Sequence, residues 1–329
     1  MIAPRPAIAC LGAGRMGRGI AVAFAYAGHD ITLIDVKAGR SAEQFATLQA
    51  ELLDEIRKTL ASLARFGLMK DAEAEKIRAR VKVVPASHSA DALADAAIVF
   101  EGVPEVVELK REVLGVASRS VGPEVIIAST TSTILVDDLS GAILHPRRFL
   151  NAHWLNPAYL IPLVEISPGK ATDPAVIEQV KLLLEGIGKV PVVCAATPGF
   201  IVPRIQALAM NEAARMVEEG VASAEEIDKA IRYGFGFRYA VLGLLEFIDW
   251  GGGDILYYAS RYLEGALGNE RYRAPDVISN NMRDNRIGLR TGAGFLDYSG
   301  LDVDAYREKR LAELVDMLRH FGLARPPVL

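Results

Sequence analysis

Two side chains of this sequence, His153 and Glu165, are suited to moving a proton. Glu165 lies in the apolar run IPLVEI (161–166), flanked by Val164 and Ile166. A carboxylate in such a strand is costly to bury without a partner. His153, just before the turn Asn156-Pro157, is a chemically suitable one. Oxidising a secondary alcohol needs a base for the hydroxyl proton. A neutral imidazole can take it near pH 7, with a carboxylate behind it to orient the ring and stabilise the imidazolium. Residue type alone favours a plainer alternative, a hydrogen-bonded core histidine with a structural acid beside it.

A second constellation is suited to holding phosphate. Residues 12–17 read GAGRMG. The motif follows the apolar run 7–11, opens a helical pattern reaching Ala27, and is trailed by Asp35 at the end of the strand-like ITLID (31–35). In that βαβ context Gly12 permits the tight turn, Gly14 lets backbone approach a pyrophosphate, and Gly17 lets helix and strand pack closely. Arg15 and Met16 lie within the turn, at a helix N-terminus whose free N–H groups favour anions. Asp35 is placed to accept from both ribose hydroxyls and to repel a 2′-phosphate. NAD is therefore expected over NADP, a preference that Lys37 slightly weakens. A glycine-rich turn without ligand is the alternative.

The elements that position these residues read as α/β. Ser41 and Gln44 form a capping box opening a long helix to about Phe66, and a second helical piece covers 72–80. Strands are expected at 81–84, 97–100, 125–128, 148–152, 161–166 and 189–193, with a helix over 105–119. Alternating strands and helices with apolar runs predict a parallel sheet covered on both faces. After Thr197-Pro198-Gly199, helical periodicity dominates 200–219, 224–233, 241–266 and 304–320, with Ser223 and Glu226 as another capping box. The domains are read as 1–195, α/β, and 196–329, all-helical, joined by the helix opening at Phe200.

Composition bounds the rest. With 329 residues, 51% hydrophobic and 24% charged, the chain can bury the cores of two domains. A net charge of −4 without long Lys/Arg runs argues against nucleic acid and against a membrane surface. Cys10 and Cys194 lie far apart in apolar stretches and read as core residues; no metal-ligand motif is present. No run approaches a membrane span or a signal peptide, so a cytoplasmic protein is expected.

Taken in order, GAGRMGRGIA (12–21), FEGVPEVVELK (100–110), IIASTTST (126–133), NAHWLNPAYLIPLVEI (151–166), TPGFIVPRI (197–205) and GLRTGAGFLDY (288–298) resemble the L-3-hydroxyacyl-CoA dehydrogenases over nearly the whole chain. The resemblance implies a Rossmann-like NAD domain and a helical domain that forms a homodimer, with the active site between them. It implies that His153 and Glu165 are the catalytic pair and that Ser132 hydrogen-bonds the substrate oxygen. Glu105 and Lys110 match residues lining the NAD ribose and nicotinamide. The implied reaction oxidises the 3-hydroxy group of a 3-hydroxybutyryl-CoA-like substrate.

Three departures bear on the substrate. Pro203 stands where the family has an Asn beside the catalytic His, which passes that task to Asn156, Gln206 or Asn211, or leaves it unfilled; the proline is also expected to kink the helix opening. Thr59 can replace a CoA-contacting serine, but Phe66 stands at a CoA-contacting lysine, and the neighbouring Arg65 would point elsewhere. FRYAVLG (237–243) replaces HPMGP. NPAYLIPLVEI and GFGFRYA look more like the L-gulonate 3-dehydrogenase, lambda-crystallin and carnitine dehydrogenase branch, where Arg238 could pair with a free carboxylate. Against that, GLRTGAGFLDY, with Arg283, Arg286 and Arg290 nearby, resembles 3-hydroxybutyryl-CoA dehydrogenases. The alternatives are therefore a dehydrogenase of a small free 3-hydroxy acid, or a silent NAD-binding protein of crystallin type.

Overall fold

A computed structural model describes residues 5–328, in two compact units divided between Met210 and Asn211. Among the described residues the first unit holds eight strands: β1 (Ile8–Leu11), β2 (Ile31–Asp35), β3 (Val81–Pro85), β4 (Ile98–Glu101), β5 (Ile126–Ser129), β6 (Phe149–Trp154), β7 (Leu163–Pro168) and β8 (Val190–Val193). They form one sheet in the order β3-β2-β1-β4-β5-β6-β7-β8. Its helices are α1 (Arg15–Tyr26), α2 (Ala42–Arg65), α3 (Ala74–Arg78), α4 (Ser89–Ala94), α5 (Val107–Ser120), α6 (Val136–Ser140) and α7 (Pro174–Gly186), and α8 (Val202–Glu218) carries the chain across the division. The architecture is α/β and Rossmann-like, with strand order reversing at β1 and β4.

Strand residues alternate between two cores, one on each face of the sheet. Ile8 and Cys10 of β1 join one core with Ile98 and Phe100 of β4; Ala9 and Leu11 join the other with Val99. Helix α2 covers the first face with a stripe of Leu52, Ile56, Leu60 and Leu63, and its Ser41–Gln44 capping box forms as expected.

One expectation fails in a way that matters for function. The sheet is not wholly parallel: β6 and β7 run antiparallel, while β7 and β8 are parallel. The connection 155–162 holds no crossover helix, and a parallel return needs a dozen or more residues. The sequence reading also assigns no helix to 89–94, 136–140 or 174–186. The last was legible, because Asp173 caps it by accepting from Ala175 N–H and Pro174 occupies its first turn.

The second unit is helical: α9 (Ala224–Ala230), a π-helix (Ile231–Gly236), α10 (Phe237–Tyr239), α11 (Leu244–Gly251), α12 (Gly253–Leu267), α13 (Asp276–Arg283) and α14 (Val303–His320). The single helix expected over 241–266 is broken at Gly252, which takes φ +109°. Of the second capping box only the Ser223 half forms, accepting from Glu226 N–H. Among the described residues no helix is long and apolar enough to cross a membrane.

Candidate active site

The antiparallel pairing of β6 with β7 sets His153 directly opposite Glu165. Cross-strand partners share a face of the sheet, so their side chains must meet. His153 Nδ1 lies 2.8 Å from Glu165 Oε2, and both residues are buried. An ionised carboxylate only accepts, so Nδ1 carries the proton and Nε2 presents a lone pair. Glu165 Oε1 accepts from the N–H groups of Ile201 and Val202, at 2.9 and 2.8 Å. The carboxylate thus joins the imidazole to the N-terminus of α8, where negative charge is favoured.

Phe200 closes over the pair. Its ring stacks on that of His153, with centroids 5.5 Å apart and planes 30° from parallel. The residue is buried and takes φ +45°, following Gly199 at φ +78°. A bulky residue rarely adopts that backbone conformation, and such outliers persist where surrounding structure over-determines them. Pro203 falls in the first turn of α8, where its missing N–H removes no helical hydrogen bond, so the expected kink has no cause here. Cys194 is only half-buried, against expectation, and burial together with the Glu165 carboxylate pushes its thiol up. Cys10 is buried as expected.

Lys189, which the sequence reading passed over, braces the connection after His153. Its ammonium is buried and donates to the carbonyls of Ala158 (2.6 Å) and Ile161 (2.8 Å), over the face of Trp154. Burial holds its pKa below the usual lysine value. Asn156, in the same connection, is exposed and lines a cavity of about 390 Å³ with Arg15, Arg18, Glu55, Thr59 and Tyr159.

Ser132 follows β5 in a turn that Glu105 organises. Glu105 Oε1 accepts from Ser132 N–H (3.0 Å), Thr133 N–H (3.1 Å), the Thr133 hydroxyl (3.0 Å) and the Thr131 hydroxyl. Burial works against its charge, but these bonds and the Lys110 ammonium hold the carboxyl below its ordinary value. Lys110 is 1% exposed, and its Nζ is directed at Glu101 (2.9 Å), the Val103 carbonyl (3.2 Å) and Glu105 (3.4 Å). It donates to Glu101 and to the Val103 carbonyl and forms an ion pair with Glu105, so in this arrangement it supports the Glu105 turn from inside the domain. Glu101, wholly buried at the end of β4 and bonded also to Ser129 at 2.5 Å, is the partner that sequence reasoning missed. Its signal was the one used for Asp35, an acid ending an apolar strand-like run.

The glycine turn fits a dinucleotide. Gly12 takes φ +99°, and a Cβ there would sit 2.9 Å from the Gly102 carbonyl oxygen. A Cβ on Gly17 would sit 2.0 Å from the Gly12 carbonyl oxygen, so neither position tolerates a side chain. Around Gly14 the space is open, and this N-cap supplies no side-chain bond to the first N–H groups of α1. Those groups face the reversal point between β1 and β4, the usual ligand position of such sheets. Arg15 is exposed, Met16 packs against the core, and Arg18 ties the turn to α2 through the Ala13 carbonyl and Glu55. Asp35 is adjacent, because Gly12 N–H bonds the Ile34 carbonyl at 2.9 Å.

Comparison with known proteins settles the lineage. Residues 7–197 match the NAD-binding domain of 3-hydroxyacyl-CoA dehydrogenase and residues 199–298 its C-terminal domain. The chain belongs to the 3-hydroxyacyl-CoA dehydrogenase family. It is an NAD-dependent oxidoreductase. A 3-hydroxybutyryl-CoA dehydrogenase of Bradyrhizobium diazoefficiens is 34% identical over 89% of this chain and 95% of its own. A 5-formyl-3-hydroxy-2-methylpyridine 4-carboxylate 5-dehydrogenase of Mesorhizobium japonicum is 30% identical over 95% and 97%. The crystal structure of a 3-hydroxyacyl-CoA dehydrogenase from Archaeoglobus fulgidus aligns with a TM-score of 0.75 at 31% identity, covering 97% of this chain and all of that one.

Among the described residues no cluster of metal-ligating side chains occurs. Arg238 lies in the second unit, with Nε bonded to the Gly234 carbonyl at 3.0 Å and its guanidinium 4.7 Å from the Phe247 ring centre.

Proposed function

We propose that this protein oxidises the 3-hydroxy group of an L-3-hydroxyacyl-CoA, of 3-hydroxybutyryl-CoA type, to the 3-keto product. The observation that carries this reading is the buried cross-strand pair of His153 and Glu165, with Nδ1 committed to the carboxylate. Nε2 then takes the hydroxyl proton as general base, and Glu165 steadies the imidazolium that forms. Ser132, presented by the Glu105 turn, hydrogen-bonds the substrate oxygen, and Asn156 borders the substrate. NAD, when bound, accepts the hydride. Gly12, Gly14, Arg15, Met16 and Gly17 would hold its phosphates, Asp35 its adenosine ribose, and Glu105, backed from inside the domain by Lys110, the far ribose and nicotinamide side.

A second reading, dehydrogenation of a small free hydroxy acid, is favoured by two observations. Phe66 is 69% exposed where the family's CoA-contacting lysine would stand. A relative matched over nearly its whole length is named for a carboxylate substrate. The division at 195/196 and a homodimer through the helical domain belong to the same proposal, and sedimentation checks the latter. NADH formation with 3-hydroxybutyryl-CoA, L-gulonate and L-carnitine in parallel separates the substrates. Absence of turnover with every hydroxy acid and acyl-CoA tried would leave the silent NAD-binding reading.

A further inference from the structure

Asp35 does not stand alone at the ribose end of the nucleotide site. Arg40 Nε approaches its Oδ2 to 2.5 Å, and Lys37 N–H reaches its Oδ1 at 3.3 Å. The approach is built by the turn between β2 and α2. Gly39 takes φ +80°, with open space where a Cβ would be, and turns the chain so that Arg40 points back at the end of β2. The Arg40 side chain stays 29% exposed. Only Nε is used: among the described residues neither Nη group of Arg40 has a partner, and none is found for the exposed Lys37 ammonium.

A lone acid at this position would accept the ribose hydroxyls of NAD and repel the 2′-phosphate of NADP. Within the turn 35–40, however, the side chains carry one negative and two positive charges. The open edge of the Arg40 guanidinium has the planar fork that grips a phosphate bidentately. In Rossmann-like domains a nearby arginine is the group that accommodates a 2′-phosphate.

We propose that Arg40 is a ligand for a 2′-phosphate and that this protein binds NADP as well as NAD. Asp35 serves the ribose hydroxyls when NAD is present. With NADP, Arg40 leaves the carboxylate for the phosphate, and Lys37 offsets the charge of Asp35.

Calorimetric binding tests this without any assay of activity. NAD and NADP are titrated against the whole protein, and 5′-AMP against 2′,5′-ADP, which differ only in the 2′-phosphate. The expected result is a dissociation constant for NADP within about tenfold of that for NAD, a gap of about 1.4 kcal/mol or less. 2′,5′-ADP should likewise bind within about tenfold of 5′-AMP, and its affinity should fall more steeply with added salt. Arg40→Ala should widen the NADP-to-NAD ratio by about tenfold or more. Asp35→Asn should narrow it, which keeps the test open if Arg40→Ala fails to fold. A wild-type ratio above ten in either pair, or a ratio that a folded Arg40→Ala leaves unchanged, overturns the proposal.

Discussion

Glu165 bonds His153 with one carboxylate oxygen and the N-terminus of α8 with the other. This double engagement decides what substitutions will do. In His153→Ala the proposed general base is gone, and kcat should fall by about 10²–10⁴. NAD affinity should barely move, because the proposed phosphate site is the Gly12–Gly17 turn. Turnover near the wild-type level would remove the site assignment.

Glu165→Gln should be nearly as damaging. The two N–H groups of Ile201 and Val202 claim an acceptor, so the amide oxygen goes to them and the amide NH₂ faces Nδ1. The ring must then carry its proton on Nε2, where it cannot accept from the substrate. The fold should survive, with melting close to wild type and kcat reduced by about 10² or more. A Gln variant with unaltered pH–rate behaviour would show that the tautomer is not set by Glu165.

Much of this was legible beforehand, and the remainder has physical reasons for being hidden. The βαβ unit, the glycine turn and the α2 capping box are local patterns and appear where the residues put them. The antiparallel turn from β6 to β7 is non-local: apolar strands buried on both faces look alike whichever way they run. His153 and Glu165 could be paired on chemical grounds, but only the register puts them opposite each other. Arg40 was overlooked because its role depends on the backbone of Gly39, and Phe200 because a positive φ at a bulky residue leaves no trace in composition. The resemblance puts Lys110 against the cofactor, whereas its ammonium is enclosed by Glu101, Val103 and Glu105.

Phe200 offers a test in which activity and stability should separate. Replacing it by Gly relieves a backbone conformation that costs about 1–3 kcal/mol in a bulky residue, but removes a buried ring worth about as much. Melting should therefore shift little. The His153 imidazole loses its stacking partner, so kcat should drop while the dissociation constant of NAD stays put. A purely structural role would give the reverse, altered melting with normal kcat.

Glu105 couples the Ser132 turn to pH. Its pKa is held below the ordinary glutamate value, so its stabilising bonds are fully present above that value and are lost as pH falls through the lowered one. Glu105→Gln should cost about 1 kcal/mol at neutral pH, allowing for partial exposure. The gap between wild type and variant should close in acid. Thermal denaturation across pH measures both, and a gap independent of pH would mean that charge on Glu105 contributes nothing.

On the free-acid reading, Arg238 is the proposed partner of the substrate's carboxylate. Its guanidinium is steadied by the Gly234 carbonyl and the Phe247 ring, and among the described residues no carboxylate pairs with it. It lies in α10, which directly follows the π-helix Ile231–Gly236, and such irregular turns are frequent at functional sites. An arginine fixed in this way keeps Nη donors for a carboxylate. Truncating one side of such a charge pair costs about 2–5 kcal/mol when the pair is desolvated. For a free hydroxy acid, Arg238→Ala should therefore raise KM at least about thirtyfold, since every 1.4 kcal/mol is tenfold. For an acyl-CoA the thioester leaves no carboxylate to hold, and KM should change only a few-fold. Melting should be unaffected in both cases, because the residue is exposed. A large KM effect with L-gulonate or L-carnitine, and no turnover of 3-hydroxybutyryl-CoA, would move the substrate to the free acids while leaving the His153–Glu165 chemistry as it stands.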